Sequence, residues 1–191
     1  MSSPTPHPPG AARLAGQAPA GRIRRAAAAD AEQIEAIIAA GRDYLRAQGL
    51  SQWQDGTGRR PIARDLAHGW GQVLLTGDEE ISGYAALVEG VDPAYTAIFD
   101  GAWREGATEY VAIHSFALAA ESRGRGLAAP FLRGLIGQAQ ALGHTDVRID
   151  THPGNVIMRK VIEAAGFVRR GVVEFEIPDG RRDAFQLCLP A

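Results

Sequence analysis

The sequence predicts an α/β (α+β) fold in which a mixed sheet is covered by helices. Three observations carry this. Apolar, strand-like runs alternate along the chain with segments of helical periodicity. The strand-like run from Tyr110 to Leu118 feeds a glycine-rich turn, Arg123-Gly124-Arg125-Gly126, which opens a helical pattern of Leu127, Phe131, Leu135, Ala139 and Leu142. Near the C-terminal end, Asp179-Gly180 between two apolar runs is a hairpin-turn signal.

The elements follow in order. Residues 1–21 are Pro, Ala, Gly and Ser with almost no bulky apolar groups, a composition that cannot offset its ordering entropy by burial. They are expected to be a disordered tail ahead of one domain over 22–191. Arg22 to Ala26 reads as a short strand. Asp30 is the expected N-cap of a helix with Ile34, Ile37, Ile38 and Leu45 on one face, stopped at Gly49. Ser51 to Arg60 is a polar, aromatic loop, and Pro61 starts a short helix to His68. Strands are expected at 71–77 and 80–89. Val91 to Thr108 is too long for a hairpin turn and carries Tyr95, Phe99 and Trp103, so it reads as an ordered loop or lid. Then come a strand at 109–118, a helix at 126–142, a strand at 145–151, a helix at 155–165, and strands near 167–177 and 183–189. No internal repeat is visible.

A chain of 191 residues fits one domain with a substantial core. Its 46 % hydrophobic and 22 % charged content is that of an ordinary globular protein. A net charge of -2 argues against nonspecific nucleic-acid binding, which needs a basic footprint. No apolar run approaches the roughly 18 residues of a membrane span. There is no charged start followed by a hydrophobic core, so no secretory signal is read. The single cysteine, Cys188, forms no internal disulfide and suits a reducing compartment. The expected setting is cytoplasmic, without nucleic-acid or membrane partners; a homodimer is left open.

A glycine-rich turn at a helix start presents unpaired N–H groups and the positive end of the helix dipole, a cradle for a pyrophosphate. A P-loop needs Lys-Ser or Lys-Thr after its last glycine, and none is present. A Rossmann turn needs a third glycine where Ala129 stands, and should open the first strand-helix unit. The pattern Arg/Gln-x-x-Gly-x-Gly/Ala, filled by Arg123, Gly126 and Ala128, resembles the acyl-CoA-binding motif of the GNAT superfamily of N-acetyltransferases. Phe116-Ala117-Leu118 resembles that family's Leu-Ala-Val strand end. Asn155, a short amphipathic helix and Gly166-Phe167 are similar to its Asn-to-Gly-Phe segment. Gln52-Trp53-Gln54-Asp55-Gly56, Ala112-Ile113-His114 and Ile149-Asp150-Thr151-His152-Pro153 resemble a bacterial branch that fixes no substrate.

The resemblance covers about Arg22 to Leu189. It implies a mixed, largely antiparallel central sheet flanked by helices, the GNAT-like acyl-CoA N-acyltransferase fold. It also implies acetyl-CoA as co-substrate and an amine of a small molecule or peptide as acceptor. Arg123, Gly124, Arg125, Gly126, Leu127 and Ala128 would cradle the pyrophosphate, mostly through main-chain N–H groups. Phe116 and Leu118 would offer main-chain contacts to the pantetheine where their strand splays from its neighbour, and Asn155 would contact the same arm. A tyrosine often stands seven residues after that asparagine to protonate the departing thiolate; here Ile162 does, so that donor is missing. A thiolate of pKa near 8.5 remains a tolerable leaving group.

An alkyl amine with a pKa near 10 is neutral in about one part in a thousand at pH 7, a deficit of about 4 kcal/mol. His114 is the candidate base: strand alternation puts it on the face of Phe116 and Leu118, and it resembles a histidine of the arylalkylamine acetyltransferases. Asp150 and His152, two apart at a strand end, would share a face as a relay pair or a hold on the substrate amine. Two such ligands do not make a metal site, so no metal is expected. Tyr44, Trp53, Gln54 and Asp55 are placed at the acceptor pocket, Asp55 as a partner for a cationic amine. A non-catalytic acyl-CoA-binding or regulatory module is the alternative, favoured by Ile162.

Overall fold

A computed structural model of the chain describes residues 21–54, 60–77, 79–104 and 109–190. Its centre is a seven-stranded sheet. The strands are β1 (Arg22–Arg25), β2 (Gly71–Thr76), β3 (Glu80–Glu89), β4 (Val111–Leu118), β5 (Asp146–Thr151), β6 (Val168–Glu174) and β7 (Arg181–Cys188), ordered β1-β2-β3-β4-β5-β7-β6. Every neighbouring pair is antiparallel except β4 with β5, which run parallel. β2 is buried along its whole length and β3 throughout its interior, because both faces of the sheet are covered.

Helices α3 (Ala128–Ala141) and α4 (Val156–Ala164) cover one face. Phe131, Leu132, Leu135 and Ile162 pack there on Leu74, Ile113, Ile149 and Phe185. Helices α1 (Ala31–Ala47) and α2 (Ile62–Ala67) cover the other face beside β2 and β3, with Ile34, Ile37, Ile38 and Ile62 on Val73, Leu75 and Tyr84. The helical spacing of the isoleucines places them on one side of α1. Gly49, at φ +72°, ends that helix, and the Leu50 N–H returns to the Leu45 carbonyl at 3.0 Å.

The rest of that second face lies under residues 91–104. A short 3₁₀ turn, Pro93–Tyr95, buries Tyr95 to 2 % exposure, and Phe99 bridges Val172 through two 2.8 Å backbone bonds. This segment is a packed cover; the remainder of the expected loop, 105–108, lies outside the described residues, as do 1–20 of the expected tail.

Two local expectations are corrected. The Asp30 carboxylate does not cap the N–H groups ahead of it. It reaches back to the Ala27 N–H at 2.7 Å and pairs with Arg24 at 2.6 Å, because a 3₁₀ turn, Ala28–Asp30, precedes α1. The final hairpin is wider than Asp179-Gly180 predicts: β6 ends at Glu174 and β7 begins at Arg181. Gly180 is needed for a close approach, since a Cβ there would sit 2.0 Å from the Phe175 carbonyl oxygen.

Candidate active site

The site begins where two parallel strands part. β4 and β5 pair through Ile113 and Ile149 and no further, while β4 stays paired with β3 as far as Leu118. The opening is a cavity of about 700 Å³, lined by Ile113 to Leu118 of β4, Ile149 to Thr151 of β5, and residues of α1, α4 and the β6–β7 loop.

Beside this opening β4 carries a bulge. Ser115 and Phe116 lie between His114 and Ala117, whose partners Ala86 and Tyr84 are separated by one residue, and Ser115 sits at φ +55°. The extra residue reverses the alternation of side chains. Phe116 and Leu118 therefore join Ile113 under α3, with the Phe116 and Phe131 rings 5.1 Å apart. His114 points to the opposite face, toward Tyr95 at 5.7 Å between ring centres. The shared face expected for His114, Phe116 and Leu118 is thus overturned.

The turn before α3 has the geometry of an anion cradle. Gly124 and Gly126 stand at φ +72° and +75°, and no atom lies within 4 Å of where a Cβ would be. Among the described residues, the N–H groups of Gly124, Arg125, Gly126 and Leu127 donate to no main-chain carbonyl. Helix geometry leaves those at the start of α3 free as well. Leu127, 1 % exposed, anchors the turn in the core. Arg123 braces it: Nε and one terminal nitrogen donate to the Leu118 carbonyl at 3.2 Å, and the guanidinium lies 4.8 Å from the Tyr44 ring centre. Arg123, Gly124 and Ala128 line the cavity; Arg125, Gly126 and Leu127 do not. Asn155 lines it too, and its side-chain oxygen caps α4 by accepting the Met158 N–H at 3.1 Å.

His114 is held between two carboxylates. Its Nε2 lies 2.9 Å from Asp92 Oδ2, too oblique for a straight hydrogen bond, and its Nδ1 is 4.0 Å from Asp150. Asp150 accepts from the Tyr95 hydroxyl at 2.7 Å. Burial pushes the Asp150 carboxyl above its ordinary range against the pull of His114 and Tyr95. Burial presses Asp92 the same way, but the His114 contact and the Ala94 N–H at 2.9 Å bring it below that range. The cluster can accept a proton at the imidazole, with two carboxylates placed to offset the resulting positive charge.

Asp150 and His152 do not act together. Asp150 faces His114 and Tyr95, whereas His152 lies past the end of β5, pairs with Asp179 at 2.9 Å and accepts the Gly154 N–H at 3.0 Å. Strand alternation stops with the strand, so their spacing no longer fixes a common face. Trp53 leans on Gly41 and, with Tyr44, forms cavity wall. Gln54 does not: its amide is taken up by Arg46 at 2.9 Å and by the Arg42 and Gln52 carbonyls at 3.0 Å. Asp55 lies outside the described residues. Among the described residues no three His, Cys, Asp or Glu side chains are grouped to hold a metal.

Sequence reasoning missed Asp92, Tyr95, Tyr110 and the buried Arg182, which lines the cavity. Asp92 before Pro93 is a readable capping signal, but nothing local to it points to His114.

The model of the acetyltransferase (GNAT) family matches residues 38–167. The chain belongs to the GNAT acetyltransferase family. A GNAT-family acetyltransferase of Streptococcus agalactiae is 33 % identical, covering 90 % of this chain and 96 % of that one at a TM-score of 0.78. Two further structures share the GNAT fold at 15 % identity. One is a GNAT-family acetyltransferase of Listeria monocytogenes, with 88 % and 95 % coverage and a TM-score of 0.68. The other is the spermidine N-acetyltransferase of Vibrio cholerae in complex with CoA and spermine, with 88 % and 94 % coverage and a TM-score of 0.60. No functionally curated protein matches the sequence. The sheet of this GNAT acetyltransferase is mixed and mostly antiparallel, as the resemblance implied, and no helix among the described residues is long and apolar enough to cross a membrane.

Proposed function

We propose that this GNAT acetyltransferase moves an acetyl group from acetyl-CoA to the primary amine of a small molecule or peptide, by direct attack in a ternary complex. One observation carries the reading: a single cavity joins the edge of the glycine turn, the free edge of β4 and the His114 cluster. The N–H groups at Gly124 to Ala128 fit a pyrophosphate, since the space a Cβ would take at Gly124 and Gly126 is open. The main chain at Phe116, past the end of the β4–β5 pairing, fits a pantetheine amide, while the Leu118 carbonyl is held by Arg123. His114 takes the proton from the amine as its nitrogen bonds to the thioester carbon; the carbon–sulfur bond breaks and the thiolate leaves with the electron pair. Asp92 and Asp150 stabilise the imidazolium that results. Holding both reactants in one cavity supplies much of the remaining acceleration.

Thiol release from acetyl-CoA in the presence of a diverse amine panel, with products identified by mass, tests this reading. Release that needs an amine and yields the acetylamide is expected; binding without release for every amine would overturn it. That second outcome is the behaviour of a non-catalytic acyl-CoA-binding module. The specific observation in its favour is Ile162, which is fully buried in the core and donates no proton. With one cysteine in the chain, the compartment we propose is the cytoplasm.

A further inference from the structure

The groups that hold His114 are themselves hung from a buried stack. Tyr110, 6 % exposed, lies just ahead of β4, and its hydroxyl oxygen accepts the Asp92 main-chain N–H at 2.7 Å. The Arg148 guanidinium carbon lies 3.9 Å from the Tyr110 ring centre and 4.3 Å from that of Trp103. Asp146 fixes Arg148 at 2.8 Å, and the Trp103 indole donates to the Tyr95 carbonyl at 3.0 Å. Asp92 and Tyr95, the two residues that approach His114 and Asp150 from the cover segment, thus depend on one set of rings around one cation.

The hydroxyl of Tyr110 adds something the packing does not require. A phenyl ring would keep the cation–π contact and the apolar burial. Only the oxygen ties the stack to Asp92, whose Oδ1 is already taken by the Ala94 N–H, leaving Oδ2 directed at His114. We propose that Tyr110 is a positioning residue for acyl transfer: its hydroxyl fixes the Asp92 main chain and, through the Asp92 carboxylate, the His114 ring. This rests on the reading of His114 as the base.

The test is a double-mutant cycle, with kcat/KM measured for Tyr110→Phe in the wild-type and His114→Ala backgrounds. With His114 present, Tyr110→Phe is expected to lower kcat/KM about 10-fold, the scale of a small misplacement. With His114 absent it should change less than about 2-fold, since there is no ring left to misalign. Asp92→Ala should silence Tyr110→Phe in the same way, and acetyl-CoA affinity should hold throughout. The ring protons of His114, followed by NMR, should broaden or shift in Tyr110→Phe while the melting temperature stays nearly constant. Equal losses in both backgrounds, or a loss that follows unfolding, would overturn the proposal. A fully active Tyr110→Phe beside an impaired His114→Ala would overturn it alone. A fully active His114→Ala would overturn the base assignment and this proposal with it.

Discussion

Replacing Gly126 with leucine separates the strain of the turn from its service to a ligand. At φ +75° a side-chain-bearing residue is disfavoured by about 1–2 kcal/mol, and with no atom within 4 Å of the new Cβ there is no clash to add. In a domain of this size each kcal/mol shifts the melting temperature by about 2–4 °C, so Gly126→Leu should melt about 2–8 °C lower and remain folded. In the proposed complex the leucine would fill the space through which a phosphate meets the N–H groups before α3. One hydrogen bond to a charged group contributes about 1.5–3 kcal/mol, so losing one weakens acetyl-CoA binding about 10- to 100-fold. Gly143 provides the matched control. It stands at φ +90°, also with nothing within 4 Å, in the turn after α3, at the opposite end of that helix from the glycine turn. Gly143→Leu should share the loss in melting temperature and keep wild-type affinity. Gly126→Asn, whose residue type tolerates this backbone region, should lose affinity with little change in stability. Calorimetric titration with acetyl-CoA alongside thermal melts reads both quantities. Wild-type affinity in a folded Gly126→Leu, or an equal loss in Gly143→Leu, would refute the reasoning.

His114→Ala should cost about 10²–10⁴-fold in kcat/KM, as expected for loss of a general base, with acetyl-CoA affinity within about 2-fold by calorimetry. Asp30 is held below the ordinary carboxyl value of 3.8 by its bond to Arg24, so its contribution is present above 3.8 and lost as pH falls through the depressed value. The melting temperature of the wild type should therefore exceed that of Asp30→Asn at pH 5–7, and the gap should close on further acidification; a gap independent of pH would count against the ion pair. Exhaustive chelation should leave acetyl transfer intact, and a loss that zinc restores would contradict the metal-free reading. A chain starting at Gly21 should keep its melting temperature and acetyl-CoA affinity, because the composition before it offers little to bury; a clear drop in either would mean the segment docks.

What was legible in the sequence is what depends on neighbours along the chain. The isoleucine spacing of α1 and the stop at Gly49 are local steric facts, and the helix lies within a few residues of where these signals put it. The glycine turn was legible for the same reason, since its two positive φ angles need residues that only the local sequence supplies. Pairing decides the rest. The bulge at Ser115 exists because β4 carries one residue more than the stretch of β3 it faces, and serine gives no hint of φ +55°.

That one residue turns Phe116 and Leu118 away from the face of His114, which alternation with Ala112 directs toward a segment whose role no motif announced. Had alternation held past His114, Phe116 and Leu118 would share its face and leave the core under α3. Their apolar side chains would then crowd the imidazole, and desolvation would resist the positive charge of a proposed base that has taken a proton. With those side chains turned away, His114 faces Asp92 and Asp150, placed to compensate that charge. The irregularity that keeps Phe116 and Leu118 against the core thus leaves the face of His114 to its carboxylates, so the proton chemistry proposed here depends on the bulge as well as on the histidine.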